Sequence, residues 1–298
     1  MPTVRGAVAG CIALSVVLAA VMAVLAVFLA YDSACIAHAK RTKAPASFAH
    51  AYVVHGTHRS DRAAHVAALA RIAAHALKRQ TADETVHVWP ATFPSRDPRA
   101  QAEYANCGAH KTAGVVKPGE FGCSTSHMRL LQHALNTSPA LAEPRTTEWV
   151  LVFEDDAQLL LVPQRNANVK KDSAAPAAST IMREAIKRAA ALGINAVFFG
   201  WWFRPEAPAG GATRVAPQIW RVDGAPLRTH AYALRGALVP AVLHMLQQRR
   251  CHVPVDSLLR RTLPSSLLVT RSPHIHSIRA GRGGDALFGQ AGLGSDTR

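Results

Sequence analysis

The alternation of apolar and polar segments along the chain predicts a series of strands separated by helices. Short apolar runs bounded by polar or turn residues predict buried strands at 51–54, 86–89, 149–153, 196–199 and 230–234. Helical spacing and helix-start signals predict helices at 63–78, 180–192, 239–248 and 257–261, and one that begins near Ser124 or Ser126 and ends near Leu135. Because the first strand, helix and strand form a βαβ unit, we predict an α/β fold with a mostly parallel sheet flanked by helices.

An uncharged apolar segment near the N-terminus, residues 6–31, is long enough to span the core of a bilayer. It exceeds the apolar core of about 7–15 residues that is typical of a cleaved signal peptide, although Ala37-His38-Ala39 resembles a cleavage site. We therefore predict that residues 1–31 form an N-terminal transmembrane signal anchor. A polar stem at residues 32–47 follows it.

The charges on either side of this segment leave its orientation open. Arg5 precedes it and Lys40, Arg41 and Lys43 follow it, which favours a cytoplasmic C-terminus, but large domains often cross membranes regardless of charge. We predict a single-pass membrane protein. Its domain would face the ER or Golgi lumen if the source is eukaryotic or viral, and would lie on the cytoplasmic face of the inner membrane if the source is bacterial.

The rest of the chain predicts one globular domain at residues 48–279. The full chain has 298 residues, of which 49% are hydrophobic, so it can bury a large core. A segment at 163–179 mixes Pro, Asn, Lys and Ala and is predicted to be a mobile loop. The Gly-rich tail at 280–298 is predicted to be disordered.

The net charge of +15 favours an anionic ligand or surface. Zinc-finger spacing, RNA-binding aromatic motifs and long basic helices do not occur in the sequence, so no nucleic-acid partner is predicted. Acidic lipids and phosphorylated small molecules remain.

The cysteines exclude a disulfide framework. Cys11 and Cys35 belong to the N-terminal region, and the globular part keeps an odd number with no CxxC pair. One disulfide is possible among Cys107, Cys123 and Cys251; Cys107 and Cys123 are the nearest pair in sequence, but the sequence does not decide the pairing.

The most informative motif is the strand at 149–153 followed by three carboxylates, Glu154-Asp155-Asp156. Ligands of open α/β sheets collect at the carboxyl ends of strands, and carboxylate oxygens suit Mg²⁺ or Mn²⁺. Strand alternation places Glu154 and Asp156 on one face and Asp155 on the other. The alternative interpretation is a solvated acidic turn.

Several motifs occur together in one known family. In chain order they are Tyr52-Val53-Val54, Arg59-Ser60-Asp61-Arg62, Gly119-Glu120-Phe121-Gly122-Cys123 with Ser126-His127, Glu154-Asp155-Asp156, Thr229-His230-Ala231-Tyr232 and Pro254-Val255-Asp256. Their order and spacing over about residues 51–278 resemble glycosyltransferase family 25, which includes lipooligosaccharide galactosyltransferases and collagen hydroxylysine galactosyltransferases. The chain departs from the family pattern at His55-Gly56, where Asn-Leu is usual, and at Asn195, where Asp is frequent.

The resemblance implies a GT-A-like Rossmann-type fold and inverting transfer of a hexose, often galactose, from a UDP-sugar to a glycan or protein side chain. It also implies Mn²⁺, or Mg²⁺ in its place, as cofactor. The implied partners are the UDP-sugar donor, a glycan or glycoprotein acceptor and, through the N-terminal helix, a membrane.

The same resemblance implies roles for individual residues. Asp155 and Asp156 are expected to hold the metal. Because an inverting displacement needs a base for the acceptor proton, we predict Asp256 as the catalytic base, with Glu120 in reserve. Donor-binding roles are expected of Arg59, Arg62, Glu154, Asp155, His127, His230 and Tyr232.

Some of these residues also have plain structural interpretations. Glu120 would cap a helix, Asp256 would be the N-cap of the helix at 257–261, and His127 would be a structural hydrogen-bonding group. Trp201 and Trp202 would either stack on a sugar or pack in the core.

Two other functions remain open from the sequence. Paired carboxylates also serve glycoside hydrolases. A membrane-anchored binding protein that keeps a degenerate transferase fold without the chemistry is the third interpretation.

Overall fold

The computed structural model describes residues 46–77, 86–109, 114–160, 174–202, 212–273 and 285–290. The predicted signal anchor at 1–31 lies outside these residues, as do most of the predicted stem and the greater part of the loop at 163–179. Of the helices in the described ranges, none has both the length and the apolar content required to cross a bilayer.

The described residues contain the five predicted strands and the five predicted helices, together with elements that were not predicted. The strands are β1 (Ser47–His55), β2 (Val86–Pro90), β3 (Glu148–Glu154), β4 (Ala157–Leu159), β5 (Ala196–Trp202), β6 (Thr213–Ala216), β7 (Ile219–Asp223), β8 (Leu227–Arg235), β9 (Ser265–Val269) and β10 (Phe288–Gln290). The helices are α1 (Ala63–Leu77), α2 (Pro98–Ala109), α3 (Pro118–Thr137), α4 (Ala174–Ala191), α5 (Val239–Arg249) and α6 (Val255–Thr262). Strands β4, β6, β7, β9 and β10 and helix α2 were not predicted.

The strands pair into one sheet in the order β2-β1-β3-β8-β5-β9-β7-β6, and β10 joins it beside β4 and β5. Strand β1 is parallel to β2 and β3, and β5 is parallel to β9. Because β3 and β5 both pair antiparallel with β8, they run in the same direction. The prediction of a mostly parallel sheet is confirmed, and the inserted antiparallel β8 and the β6–β7 hairpin are additions to it.

Helices cover both faces of this sheet. Along β3, Trp149, Leu151 and Phe153 belong to the apolar layer shared with α1 and α4, and Val150 and Val152 belong to the layer shared with α3, α5 and α6. This period of two sends neighbouring side chains to opposite layers, and both layers are buried. The five residues from Trp149 to Phe153 are therefore all apolar, as expected of a central strand that is covered on both faces.

Two helices begin earlier than predicted. Helix α3 begins at Pro118 rather than near Ser124 or Ser126, and both serines are buried inside it. Proline is favoured in the first turn of a helix because its φ is preset and its missing N–H needs no partner there. Helix α4 begins at Ala174 rather than near residue 180, in an alanine-rich segment with high helix propensity.

The prediction of a disordered tail is wrong for residues 285–290. Ala286, Leu287 and Phe288 are buried, and β10 pairs antiparallel with β4 and parallel with β5. Burial of these apolar side chains in the sheet offsets the entropy lost in ordering the segment. The globular domain therefore extends beyond the predicted limit at residue 279.

A disulfide joins Cys107 and Cys251, which lie 144 residues apart. It connects the last turn of α2 to the turn that follows α5, and Cys123 keeps a free thiol. Nearness in sequence suggested Cys107 with Cys123, but the fold brings the distant cysteine to the end of α2. Val116 and Phe121 pack with Cys107 in a small separate apolar cluster.

Candidate functional site

A cavity of about 100 Å³ opens at the carboxyl ends of β1, β2 and β3. These three parallel strands are adjacent in the sheet, so the segments that follow them meet at one edge. The start of α3 closes the cavity from the side. Its lining residues are Val54, Gly56, Arg62, Ala91, Thr92, Phe93, Gly119, Cys123, Ser126, His127, Glu154, Asp155 and Asp156.

Asp155 is engaged by the protein through both carboxylate oxygens. The guanidinium of buried Arg62 donates to Oδ1. The ring Nδ1 of His55 lies 2.9 Å from Oδ2, and the backbone N–H of Gly56 donates to the same oxygen over 3.2 Å. Asp155 therefore connects the end of β3 to the segment after β1, and its predicted role as a metal ligand stays a prediction.

Glu154 and Asp156 lie together, as strand alternation predicted. With His230 of β8 they form a group whose nearest ligand atoms all lie within 4.8 Å of one another. His230 reaches the group because β8 is the immediate neighbour of β3 in the sheet. Two carboxylates and an imidazole at this spacing suit a divalent ion such as Mn²⁺.

Asp156 is buried with one oxygen satisfied and one not. The side-chain amide of Gln290 donates to Oδ2 over 2.8 Å. Within the described residues Oδ1 is buried and accepts no hydrogen bond. Burial first, and then the negative charge of Glu154, raise the pKa of Asp156 to about 6. A bound cation would satisfy the unpaired oxygen and relieve the repulsion between the two carboxylates.

Glu154 also faces two side chains of α3. His127 Nε2 lies 3.2 Å from Glu154 Oε1, and the Cys123 thiol sulfur lies 3.9 Å from the same oxygen. On the other side of the ring, His127 Nδ1 lies 2.7 Å from the hydroxyl oxygen of Tyr232.

Burial raises the pKa of Tyr232 well above its usual range, so its hydroxyl remains protonated. Burial and the charges of Glu154, Asp256 and Asp156 raise the pKa of the Cys123 thiol.

The two arginines that were predicted to bind the donor differ in position. Arg62 lines the cavity and is held by Asp155. Arg59 forms a two-point ion pair with exposed Asp61, with N–O distances of 3.0 and 2.9 Å. Hydrogen bonding from Arg59 lowers the pKa of Asp61. Arg59 is not among the residues that line the cavity.

The two predicted bases lie outside the cavity lining. The carboxylate of Glu120 accepts a hydrogen bond of 2.9 Å from the backbone N–H of Lys117, which is the helix-capping arrangement. Asp256 lies in the first turn of α6, which begins at Val255, so Asp256 is not its N-cap. The carboxylate of Asp256 accepts a hydrogen bond of 2.6 Å from the backbone N–H of Ser257. Its negative charge also helps to raise the pKa of the Cys123 thiol.

Trp201 packs in the core. Its side chain is buried, and its indole N–H donates to the carbonyl oxygen of Val269 over 3.0 Å. The side chain of Trp202 lies outside the described part of the molecule. The predicted sugar-stacking role is therefore not available to Trp201.

Three contributions to the site were not predicted. Gln290 belongs to the segment expected to be disordered, and its contact with Asp156 has no local signal. His55 and Gly56, noticed only as departures from the family pattern, bind Asp155. Gly122 allows α3 to approach the segment after β2, because a Cβ there would lie 2.3 Å from the carbonyl oxygen of Thr92.

No family model matches the chain, and no curated protein matches it. The resemblance to glycosyltransferase family 25 therefore depends on the motif residues themselves. The structure brings together His127, Glu154, Asp156, His230 and Tyr232, which come from three separate motifs. It leaves Glu120 and Arg59 outside the cavity lining.

Proposed function

We propose that the chain is a membrane-anchored, metal-dependent inverting glycosyltransferase. It moves a hexose, galactose or glucose, from a UDP-sugar to a hydroxyl group of a glycan or protein side chain. The observation that carries this proposal is the buried, unpaired Oδ1 of Asp156 beside Glu154 and His230 at the carboxyl end of β3. The motif resemblance then selects sugar transfer among the reactions that such a site can perform.

The fold supports the proposal. A mostly parallel sheet between helix layers, with carboxylates at the end of a central strand, is what a GT-A-like fold requires. The cavity lies where open α/β sheets bind ligands. The net charge of +15 favours a phosphorylated donor.

The residues present fit a divalent ion of the Mn²⁺ or Mg²⁺ class. Asp156 would supply its unpaired Oδ1, with Glu154 and His230 as further ligands. When bound, the ion supplies charge neutralisation on the departing diphosphate. Gln290 orients Asp156 by donating to its other oxygen.

The other residues of the cavity would hold the reactants. Arg62, fixed by Asp155, presents a positive charge at the cavity wall for the diphosphate. His127 also lines the cavity, with Nδ1 held by the Tyr232 hydroxyl and Nε2 directed to Glu154.

The proposed transfer step is a single displacement. The acceptor oxygen forms a bond to the anomeric carbon of the donor, and the bond from that carbon to the phosphate oxygen breaks. The bonding electrons leave with the nucleoside diphosphate, and the acceptor proton passes to a base. Asp256, whose charge raises the pKa of the cavity-lining Cys123 thiol, is the proposed base.

The proposal is tested by mixing the full chain with a panel of UDP-sugars and an acceptor panel, with Mn²⁺ or with EDTA, and measuring released UDP. We expect release from one donor that depends on the metal. The variant D156N should lose at least 100-fold of this activity, on the order expected when charge stabilisation of a transition state is removed. The matched control is D223N, because Asp223 is exposed at the end of β7.

Full activity in D156N would contradict the metal role. A folded protein that binds neither nucleotide nor metal by calorimetry would instead be the non-catalytic binding protein.

Glycoside hydrolysis is the second candidate function. Glu154 and Asp156 offer ligand oxygens within 4.8 Å, and the raised pKa of Asp156 suits a general acid. Release of free sugar from an oligosaccharide, with no nucleotide substrate, would favour this function.

A further inference from the structure

A second group of metal-ligating side chains lies against the first. Cys123 and His127 are one helical turn apart on α3, so their side chains project from the same face. Glu154 meets them from the end of β3. The thiol sulfur, an imidazole nitrogen and a carboxylate oxygen of the three residues all lie within 4.8 Å of one another.

The spacing of these atoms is close to that of the ligand atoms of a tetrahedral zinc ion. Zinc bond lengths of about 2.3 Å to sulfur and about 2.0–2.2 Å to nitrogen and oxygen place tetrahedral ligand atoms roughly 3.4–3.6 Å apart. The sulfur of Cys123 lies 3.9 Å from Glu154 Oε1, and His127 Nε2 lies 3.2 Å from it. The third pair, the Cys123 sulfur and the His127 imidazole nitrogen, lies within 4.8 Å, so a bound zinc would draw the ligand atoms together.

The imidazole of His127 is already oriented for such a role. Its side chain is fully buried, and Nδ1 lies 2.7 Å from the Tyr232 hydroxyl, so Nε2 is directed to Glu154. Metal-binding histidines commonly have a hydrogen-bonding partner on the other ring nitrogen, which fixes the ring and its tautomer. Tyr232 occupies that position.

We propose that Cys123, His127 and Glu154 form a zinc site, with water as the fourth ligand, and that zinc bound there is an inhibitor. A thiolate and an imidazole select Zn²⁺ over Mn²⁺ and Mg²⁺, whereas an oxygen-rich set suits the latter ions. Glu154 belongs both to this site and to the group with Asp156 and His230. Zinc bound to Cys123, His127 and Glu154 therefore draws Glu154 away from Asp156 and His230 and repels a divalent ion held by them; this inhibitory part rests on the proposed function.

Cobalt is the spectroscopic probe for the site. Titration of the full chain with Co²⁺ should give one equivalent of a near-ultraviolet thiolate-to-cobalt band with strong visible bands of tetrahedral cobalt, and Zn²⁺ should remove both. C123S should lose the near-ultraviolet band. H244Q is the matched control, because His244 is an exposed histidine on α5. Absence of the band, or its persistence in C123S, would overturn the site.

The supporting residue Tyr232 provides a graded test. Y232F should weaken zinc affinity by roughly 10–100-fold, the usual loss when the hydrogen-bonding partner of a metal ligand is removed. Unchanged affinity would show that the Tyr232 contact does not orient a zinc ligand.

A second measurement holds even if C123S fails to fold. Zn²⁺ should slow the alkylation of Cys123 in the unaltered protein, measured by mass spectrometry of the peptide that contains it. Equal alkylation rates with and without Zn²⁺ would contradict the proposal.

The inhibitory part is tested separately by electron paramagnetic resonance of Mn²⁺. Adding Zn²⁺ should increase the signal of free Mn²⁺ as the bound ion is released. Retention of Mn²⁺ would refute the competition. A chain with no transferase activity would leave the cobalt and alkylation results standing, so failure of the proposed function and failure of the zinc site are distinguishable.

Discussion

At the scale of single residues, the three consecutive carboxylates after β3 have different surroundings. Asp155 faces Arg62, His55 and the Gly56 amide, whereas Asp156 has Gln290 and an oxygen without a hydrogen bond. The charge of Asp155 is therefore paired with that of a buried arginine, whereas Asp156 has an amide as its hydrogen-bonding partner. The sequence motif alone does not distinguish these two environments.

Removal of the Asp155 carboxylate is expected to destabilise the fold. D155A takes away the negative charge that faces the buried Arg62 guanidinium, and breaking a buried ion pair in this way costs about 3–5 kcal/mol. Denaturant unfolding measures the change in the free energy of unfolding. D61A is the control, because the exposed carboxylate of Asp61 should contribute little. Equal effects of the two substitutions would refute the anchoring role.

The raised pKa of Asp156 predicts a pH-dependent stability in EDTA. The folded pKa of about 6 exceeds the reference value of 3.8, so this group stabilises the fold fully below about pH 4 and loses that contribution as the pH rises through 6. The loss is on the order of 3 kcal/mol. D156N should therefore be more stable than the unaltered chain at pH 7.5, by an amount that disappears near pH 4. The groups facing Asp156 are Glu154, Asp155, Arg62, His230 and Cys123, with Gln290 as hydrogen-bond donor.

Thermal unfolding at both pH values checks this prediction, with D223N as the control. A stability difference that is the same at pH 4 and pH 7.5 would mean that Asp156 does not titrate as inferred.

At the scale of elements, the contact between α3 and the segment after β2 shapes the cavity. The Ser126 hydroxyl accepts from the Thr92 N–H over 2.7 Å and donates to the Gly122 carbonyl over 2.8 Å. Gly122 makes the approach possible because it has no Cβ. The helix thus places Cys123 and His127 opposite the end of β3.

The substitution G122A should disrupt this contact. Its Cβ would meet the Thr92 carbonyl oxygen at 2.3 Å, and overpacking of this kind costs about 1–3 kcal/mol. The melting temperature should fall, and cobalt binding at Cys123 and His127 should weaken with it. G114A is the matched control, since a Cβ on Gly114 has no atom within 4 Å. An unchanged melting temperature for G122A would indicate that the segment shifts freely.

The sequence predicted the elements whose signal is local. Strand β3 and helix α1 follow from apolar periodicity over their own residues, and the end of β3 located the carboxylates correctly. The hairpin of β6 and β7 was not predicted because its strands are short and polar on one face. The pairing of β8 between β3 and β5 depends on contacts distant in sequence, which periodicity does not encode.

The same distinction applies to the site. Strand alternation predicted that Glu154 and Asp156 lie together, which they do, although β3 ends at Glu154 and Asp156 belongs to the turn that follows. The contact of Gln290 with Asp156 joins residues 134 positions apart, and the sequence around Gln290 contains no pattern that predicts it. The hydrogen-bonding partners of Asp155 could not be predicted from the sequence either, because they depend on how the segment after β1 packs against the end of β3.

At the scale of the whole molecule, the Cys107–Cys251 disulfide connects segments 144 residues apart. Closing a loop of this length in the unfolded chain is expected to stabilise the fold by about 2–5 kcal/mol. The double variant C107S/C251S should lower the free energy of unfolding by this amount, measured with denaturant. Unfolding of the unaltered chain with and without a reductant is the companion experiment. Insensitivity to both changes would contradict a stabilising role.

Strand β10 gives the molecule an order of assembly. The carboxylate of Asp156 is synthesised 134 residues before the Gln290 amide that binds it, a delay of roughly 7–27 s at ordinary rates of translation. Until then the emerging chain lacks both the strand beside β4 and the donor to Asp156. Nascent chains arrested before residue 285 should therefore lack the Gln290 amide that binds Asp156. The affinity of the proposed metal site should reach its full value only when translation has passed Gln290.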